Sequence, residues 1–144
     1  MCMHLTNYAV NKHSNKFQPN RADIMDSVGH KRSLKYALKF LKKMEGRDTN
    51  LLMQQIKDIV VKTLIAGQAY LDSVFKSVQL DDFENSMCFH LLGFDIMLDQ
   101  KCKPYLLEVN HSPSLSTDSP IDAKIKNGLI RDTIQMLALT KQRK

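Results

Sequence analysis

The sequence predicts an α+β fold in which helices feed a largely antiparallel sheet, and three observations carry that prediction. Apolar residues recur at helical spacing in two stretches of the first half and again near the end. Two apolar runs of strand length flank Asp99-Gln100-Lys101-Cys102. Turn-forming residues separate these segments, and the order of elements is that of helices packed with a largely antiparallel sheet. With 144 residues, 43% of them hydrophobic and 25% charged, the chain is long enough for one modest core.

Residues 1 to 30 are rich in Asn, His, Ser and Lys, and the stretch His4 to Val10 reads as a strand that leads into a loop near Pro19-Asn20. A strand so early has no preceding element to pair with, and its backbone groups need partners. The chain therefore reads as a piece of a larger domain. Over residues 33 to 45, Leu34, Ala37, Leu38 and Leu41 share one face, with Ser33 as N-cap and Gly46 as the stop. From the cap candidate Asp48, the residues Leu52, Ile56, Ile59, Val60, Thr63 and Leu64 predict a long, largely buried helix whose stripe continues past Gly67 through Leu71, Val74 and Phe75. Asp81 to Asn85 is polar. Cys88 to Leu98 and Lys103 to Asn110 then read as an antiparallel hairpin. After Pro113 and a Ser/Thr-rich loop, Ile121, Ile125, Leu129, Thr133, Met136 and Leu137 mark a last helix, which runs into the basic tail 141–144.

Composition narrows the function. No run of 18 apolar residues is present to span a bilayer, and the N-terminus lacks the apolar centre of a signal peptide, so a soluble, cytoplasmic protein with no membrane partner is expected. A monomer is also expected. Cys2, Cys88 and Cys102 are odd in number and widely spaced, which suits reduced structural thiols better than zinc. The net charge of +6 attracts polyanions. Between Lys31 and Arg47, the residues Lys31, Arg32, Lys35, Lys39, Lys42, Lys43 and Arg47 face the single acid Glu45. Aromatic residues able to stack bases are sparse there, so nucleic acid is not the expected partner.

The chemistry concentrates in Gly93-Phe94-Asp95-Ile96-Met97-Leu98 and Pro104-Tyr105-Leu106-Leu107-Glu108-Val109-Asn110. Two acids and an amide stand inside apolar strands. A four-residue turn would set Leu98 against Lys103 and Asp95 against Leu106, leaving Glu108 diagonal to Asp95 on the same face, with Asn110 beside it. Carboxylates gathered this way repel unless a cation lies between them, and hard oxygen donors without His or Cys favour Mg²⁺ over zinc. The alternative is that Asp95 and Glu108 are strand-end residues facing water. An odd-length loop, which would put them on opposite faces, would support it.

The runs CFHLLGFDIMLD and KPYLLEVNHSPS, preceded by HLTNYAVNKHS, resemble in wording and order the motifs of the tubulin-tyrosine ligase-like family, over about 110 residues. NKHS and VNHSPS resemble its polyglutamylase branch most. The resemblance implies that residues 1–140 are the C-terminal part of an ATP-grasp domain. It also implies an ATP-dependent carboxylate-amine ligase that adds free glutamate to glutamate side chains of acidic tubulin tails, at the cytoskeleton or cilium, with ATP and Mg²⁺ as cofactors. By the same resemblance Asp95, Glu108 and Asn110 hold Mg²⁺, while Thr6, Asn7 and Leu107 contact the nucleotide. Tyr8, Ala9, Lys31 and His111 line the amino-acid pocket. A glycylase, a tyrosine ligase or a catalytically dead tubulin-binding module are the alternatives. The family's nucleotide-binding lysines precede the HLTNY motif, so these 144 residues alone are expected to be inactive. Two departures stand out: His90 replaces the usual Glu, where a carboxylate could support the metal ligands, and Tyr105 replaces the usual Trp, which keeps an aromatic body.

Overall fold

The computed structural model describes residues 8–11, 13–19, 29–78 and 89–137. The chain forms two compact units, Met1–Phe40 with Leu115–Lys144, and Leu41–Ser114.

In the first unit, α1 (Tyr8–Asn11) is a single helical turn where the sequence reading expected the end of a strand. Residues 4 to 7 of that expected strand lie outside the described residues. The difference is local: the N–H groups of His13 and Ser14 reach back to the carbonyls of Val10 and Asn11, at 3.4 and 3.0 Å, so these two acceptors are satisfied within the turn. α2 (Leu34–Met44) begins at the expected cap, Ser33, whose Oγ accepts the N–H of Tyr36 at 3.1 Å. α4 (Pro120–Met136) starts on Ser119, an extended N-cap followed by Pro120, and buries Ile121.

In the second unit, the end of α2 is marked by Gly46 in the left-handed region at φ 60°, and the N–H of Arg47 returns to the carbonyl of Leu41. Asp48 caps α3 (Thr49–Val78), its Oδ1 accepting the N–H groups of Asn50 and Leu51 at 3.0 and 3.1 Å. β1 (Gly93–Leu98) and β2 (Pro104–Asn110) form a two-stranded antiparallel sheet, with β2 against α3.

The expectation of a largely buried long helix is corrected. Leu52 is buried at 4% exposure, whereas Ile65 and Leu71 are 63% and 58% exposed. Length explains this, since 30 residues of helix run about 45 Å and a seven-residue strand only about 23 Å. The uncovered face, with Phe89, lines an open apolar groove of about 950 Å³ that includes Leu64, Leu71, Val74 and Phe75. No helix among the described residues is long and apolar enough to cross a membrane.

Candidate metal and nucleotide site

The turn of the hairpin holds the five residues 99 to 103, not four. Asp99 builds it. Its Oδ1 accepts the N–H groups of Lys101 and Lys103, each at 2.8 Å, and its own N–H donates to the Lys103 carbonyl at 3.1 Å. Hydrogen bonding from the Lys103 N–H is the largest influence on this carboxyl and, with that from Lys101, holds its pKa below the ordinary value despite some desolvation. Cys102 takes φ 62°, which completes the turn in a conformation unusual for a residue with a side chain.

The register from this turn is Leu98 with Pro104, Met97 with Tyr105 and Ile96 with Leu106, one residue away from the expected pairing. Continued regularly, it would set Asp95 against Leu107 and turn Glu108 to the other face. The pairing is not regular. A bulge between Asp95 and Ile96 on the β1 side leaves Leu107 as the extra residue of β2, and Asp95 stands directly opposite Glu108. The odd loop and the bulge each shift the pattern by one residue, so together they restore the shared face. The expectation of a diagonal Asp95–Glu108 pair is thereby corrected to a direct one.

Asn110, two residues on, closes the group. Its Nδ2 donates to Asp95 Oδ2 at 3.1 Å and to Glu108 Oε1 at 3.4 Å. Both carboxylates are exposed and Asn110 is half-buried. Two like charges directly across a ladder are unfavourable, and among the described residues the Asn110 amide hydrogens are a positive partner to both. Among the described residues no three His, Cys, Asp or Glu side chains gather as a metal site. The two facing carboxylates nonetheless fit Mg²⁺, which takes one or two carboxylates and completes its shell with water and phosphate oxygens; Asn110 would add its amide oxygen on turning the Nδ2 that it presents here.

Around this group, Leu107 is 54% exposed beside Glu108. His111 follows Asn110, its Nδ1 at 3.0 Å from Ser112 Oγ. His90 reaches the same turn, with Nε2 2.6 Å from the His111 carbonyl oxygen. Gly93 allows a close approach there, since a Cβ would meet Pro113 Cβ at a tight 3.1 Å and Asn110 Cβ at an ordinary 3.5 Å. Tyr105, in place of Trp, extends its hydroxyl to Asp99 Oδ2 at 3.4 Å.

The other candidate residues divide differently. Thr6 and Asn7 lie outside the described residues, as do the side chains of Tyr8 and Ala9, whose backbone forms the start of α1. Lys31, in the first unit, donates from Nζ to Asp122 Oδ2 at 2.7 Å. Burial raises the Asp122 carboxyl, but hydrogen bonds from Lys31 and Ser119 and the charges of Lys31 and Lys126 outweigh it, leaving the pKa below the ordinary value. Arg47, counted with the basic stripe, is turned to the Gln100 carbonyl at 3.0 Å, whereas Lys35, Lys39, Lys42 and Lys43 are exposed along α2. The sequence reading missed Asp99, Asp122 and the bulge. For Asp99 a signal existed, since Asp opening a polar turn commonly binds N–H groups two residues on.

A sequence profile described as the tubulin-tyrosine ligase family matches residues 1–144. The chain is 49% identical over 140 residues to a probable beta-tubulin polyglutamylase of Tetrahymena thermophila, covering 97% of this chain and 12% of that protein. It is 41% identical to human tubulin polyglutamylase TTLL6 (96% and 15%) and 44% identical to human tubulin monoglutamylase TTLL4 (93% and 11%). It thus spans between about a tenth and a sixth of these relatives' length.

Proposed function

The chain belongs to the tubulin-tyrosine ligase family, and from that premise we propose that it is the C-terminal part of the ATP-grasp domain of a glutamate ligase acting on tubulin. The observation that carries this reading is the facing pair Asp95–Glu108 bridged by Asn110. The relatives' names make glutamylation of tubulin the best-supported reaction.

In the proposed reaction the γ-phosphoryl group of ATP passes to a glutamate side-chain carboxylate of an acidic tubulin tail, giving an acyl phosphate and ADP. The amino group of free glutamate then attacks the acyl carbon, phosphate leaves, and an isopeptide bond remains. A reaction of this kind asks the protein chiefly for positioning and charge neutralisation. Asp95 and Glu108, joined by Asn110, would hold Mg²⁺, which would supply positive charge to neutralise the phosphate groups. Leu107 offers an apolar surface for the adenosine, and Thr6 and Asn7 contact the rest of the nucleotide. By the family resemblance Tyr8, Ala9, Lys31 and His111 would each serve the incoming glutamate, and Asp122 holds the Lys31 ammonium in place. The exposed Lys35, Lys39, Lys42 and Lys43 attract the tubulin tail, an attraction that salt weakens. A cytoskeletal, and in ciliated cells ciliary, location follows from the substrate.

The test is incorporation of labelled glutamate into microtubules by the full-length parent protein with Mg-ATP, beside its Glu108→Ala variant. Incorporation that the variant loses is the expected result. A parent protein that binds microtubules but incorporates no glutamate would overturn the reading.

A further inference from the structure

We infer that His90 is a positioning residue for the metal face, acting through the backbone that carries Asn110. This rests on the metal reading proposed above. The geometry begins with where the ladder ends: Gly93 with Asn110 is the last pair of the hairpin. Among the described residues, no strand pairing extends beyond it to residue 111. The His90 imidazole does so instead, with Nε2 2.6 Å from the His111 carbonyl oxygen. A carbonyl only accepts, so Nε2 carries the hydrogen and donates it.

The second hold on the same turn is steric. The bare Cα of Gly93 lets Pro113 approach to a distance at which a Cβ would already be tight. One side of the turn is thus pressed against β1 and the other is tethered to His90. What they fix between them is Asn110, whose single amide spans Asp95 and Glu108 at 3.1 and 3.4 Å. Bridging two acids at once tolerates little backbone movement. Released from His90, the turn would let Asn110 keep one carboxylate and lose the other, and the two carboxylates and the amide would no longer be held together.

The experiment uses the full-length parent, with Mn²⁺ standing in for Mg²⁺ beside a non-hydrolysable ATP analogue. Mn²⁺ affinity is read by electron paramagnetic resonance, folding by thermal melting, and the imidazole by ¹⁵N spectra. Residues that orient metal ligands typically change affinity by about 10–100-fold, and His90, acting through one peptide unit, belongs at the lower end. His90→Ala should weaken Mn²⁺ about tenfold with melting nearly unchanged. His90→Gln, whose amide can donate to the same carbonyl, should recover most of the affinity, and the wild-type spectrum should show hydrogen on Nε2. Wild-type Mn²⁺ binding that His90→Ala leaves within about twofold would overturn the role of His90 alone. So would equal loss of binding and melting in both variants, because His90 would then serve only the fold. Absence of Mn²⁺ binding by the wild type would instead bring down the metal reading and, with it, this inference.

Discussion

Replacing Asp95 with Asn removes one charge from a facing pair while keeping the size of the side chain and an oxygen to accept from Asn110. Opposed residues in a ladder hold their Cβ atoms about 4.5–5.5 Å apart. Two unit charges about 5 Å apart in water repel by about 0.8 kcal/mol, and the Asn110 amide and physiological salt take away part of that. Without divalent cations, Asp95→Asn should therefore stabilise the full-length protein by about 0.5 kcal/mol, and the gain should shrink at high salt. Adding Mg²⁺ reverses the order. At a concentration of about one hundred times its dissociation constant, a cation that binds only the folded wild type contributes about 2.7 kcal/mol, and the variant receives little of it. Thermal melting in chelator and in Mg²⁺, at low and high salt, measures all four conditions. Equal stabilisation of both proteins by Mg²⁺ would refute the reasoning, because the cation would then bind elsewhere. A lower melting temperature for the variant in chelator would show that the Asp95 charge is structural.

Gly93→Ala should destabilise by about 1 kcal/mol, as overpacking does where the neighbour is a stiff proline ring, and thermal melting of the variant checks it. The Asp99 carboxyl, stabilised as an anion by backbone N–H groups, has a folded pKa below the ordinary 3.8. Its contribution is present above 3.8 and lost as pH falls through the folded value, so the amide resonances of Lys101 and Lys103 should titrate in acid with a midpoint under 3.8. Asp122 also has a lowered folded pKa, and the same sign applies. Asp122→Asn should cost about 1–2 kcal/mol near neutral pH, between exposed and buried ion pairs, and the difference from wild type should vanish in urea melts once pH falls below the folded pKa.

Much of this arrangement is legible in the sequence where the cause is local. Ser33, Gly46 and Asp48 mark their helix ends as the residue types require, since a cap bonds only to its own first turn. The hairpin follows from two apolar runs around a polar turn. What the sequence does not give away depends on partners far along the chain. The exposure of α3 depends on how little surface one short strand can cover. The commitment of Lys31 to Asp122, 91 residues away, leaves no trace in spacing. Residues 8 to 11 form a helical turn whose Val10 and Asn11 carbonyls are taken by the N–H groups of His13 and Ser14, where the sequence reading had expected a strand.

The register of the hairpin shows how two unforeseen features can preserve a foreseen conclusion. Asp99 gathers the N–H groups of Lys101 and Lys103 and so sets a turn of odd length, which by parity alone would separate Asp95 from Glu108. The bulge at Leu107 supplies the compensating residue. Neither feature would place the acids together alone, so the proposed cation site depends on turn and bulge jointly. The bulge does a second thing. By taking Leu107 out of the regular pairing, it leaves that side chain half uncovered immediately before Glu108. The surface proposed for adenosine and the carboxylate proposed for the metal are then neighbours in the chain, made adjacent by a single irregularity. A nucleotide whose phosphates carry the cation needs these two kinds of contact near each other.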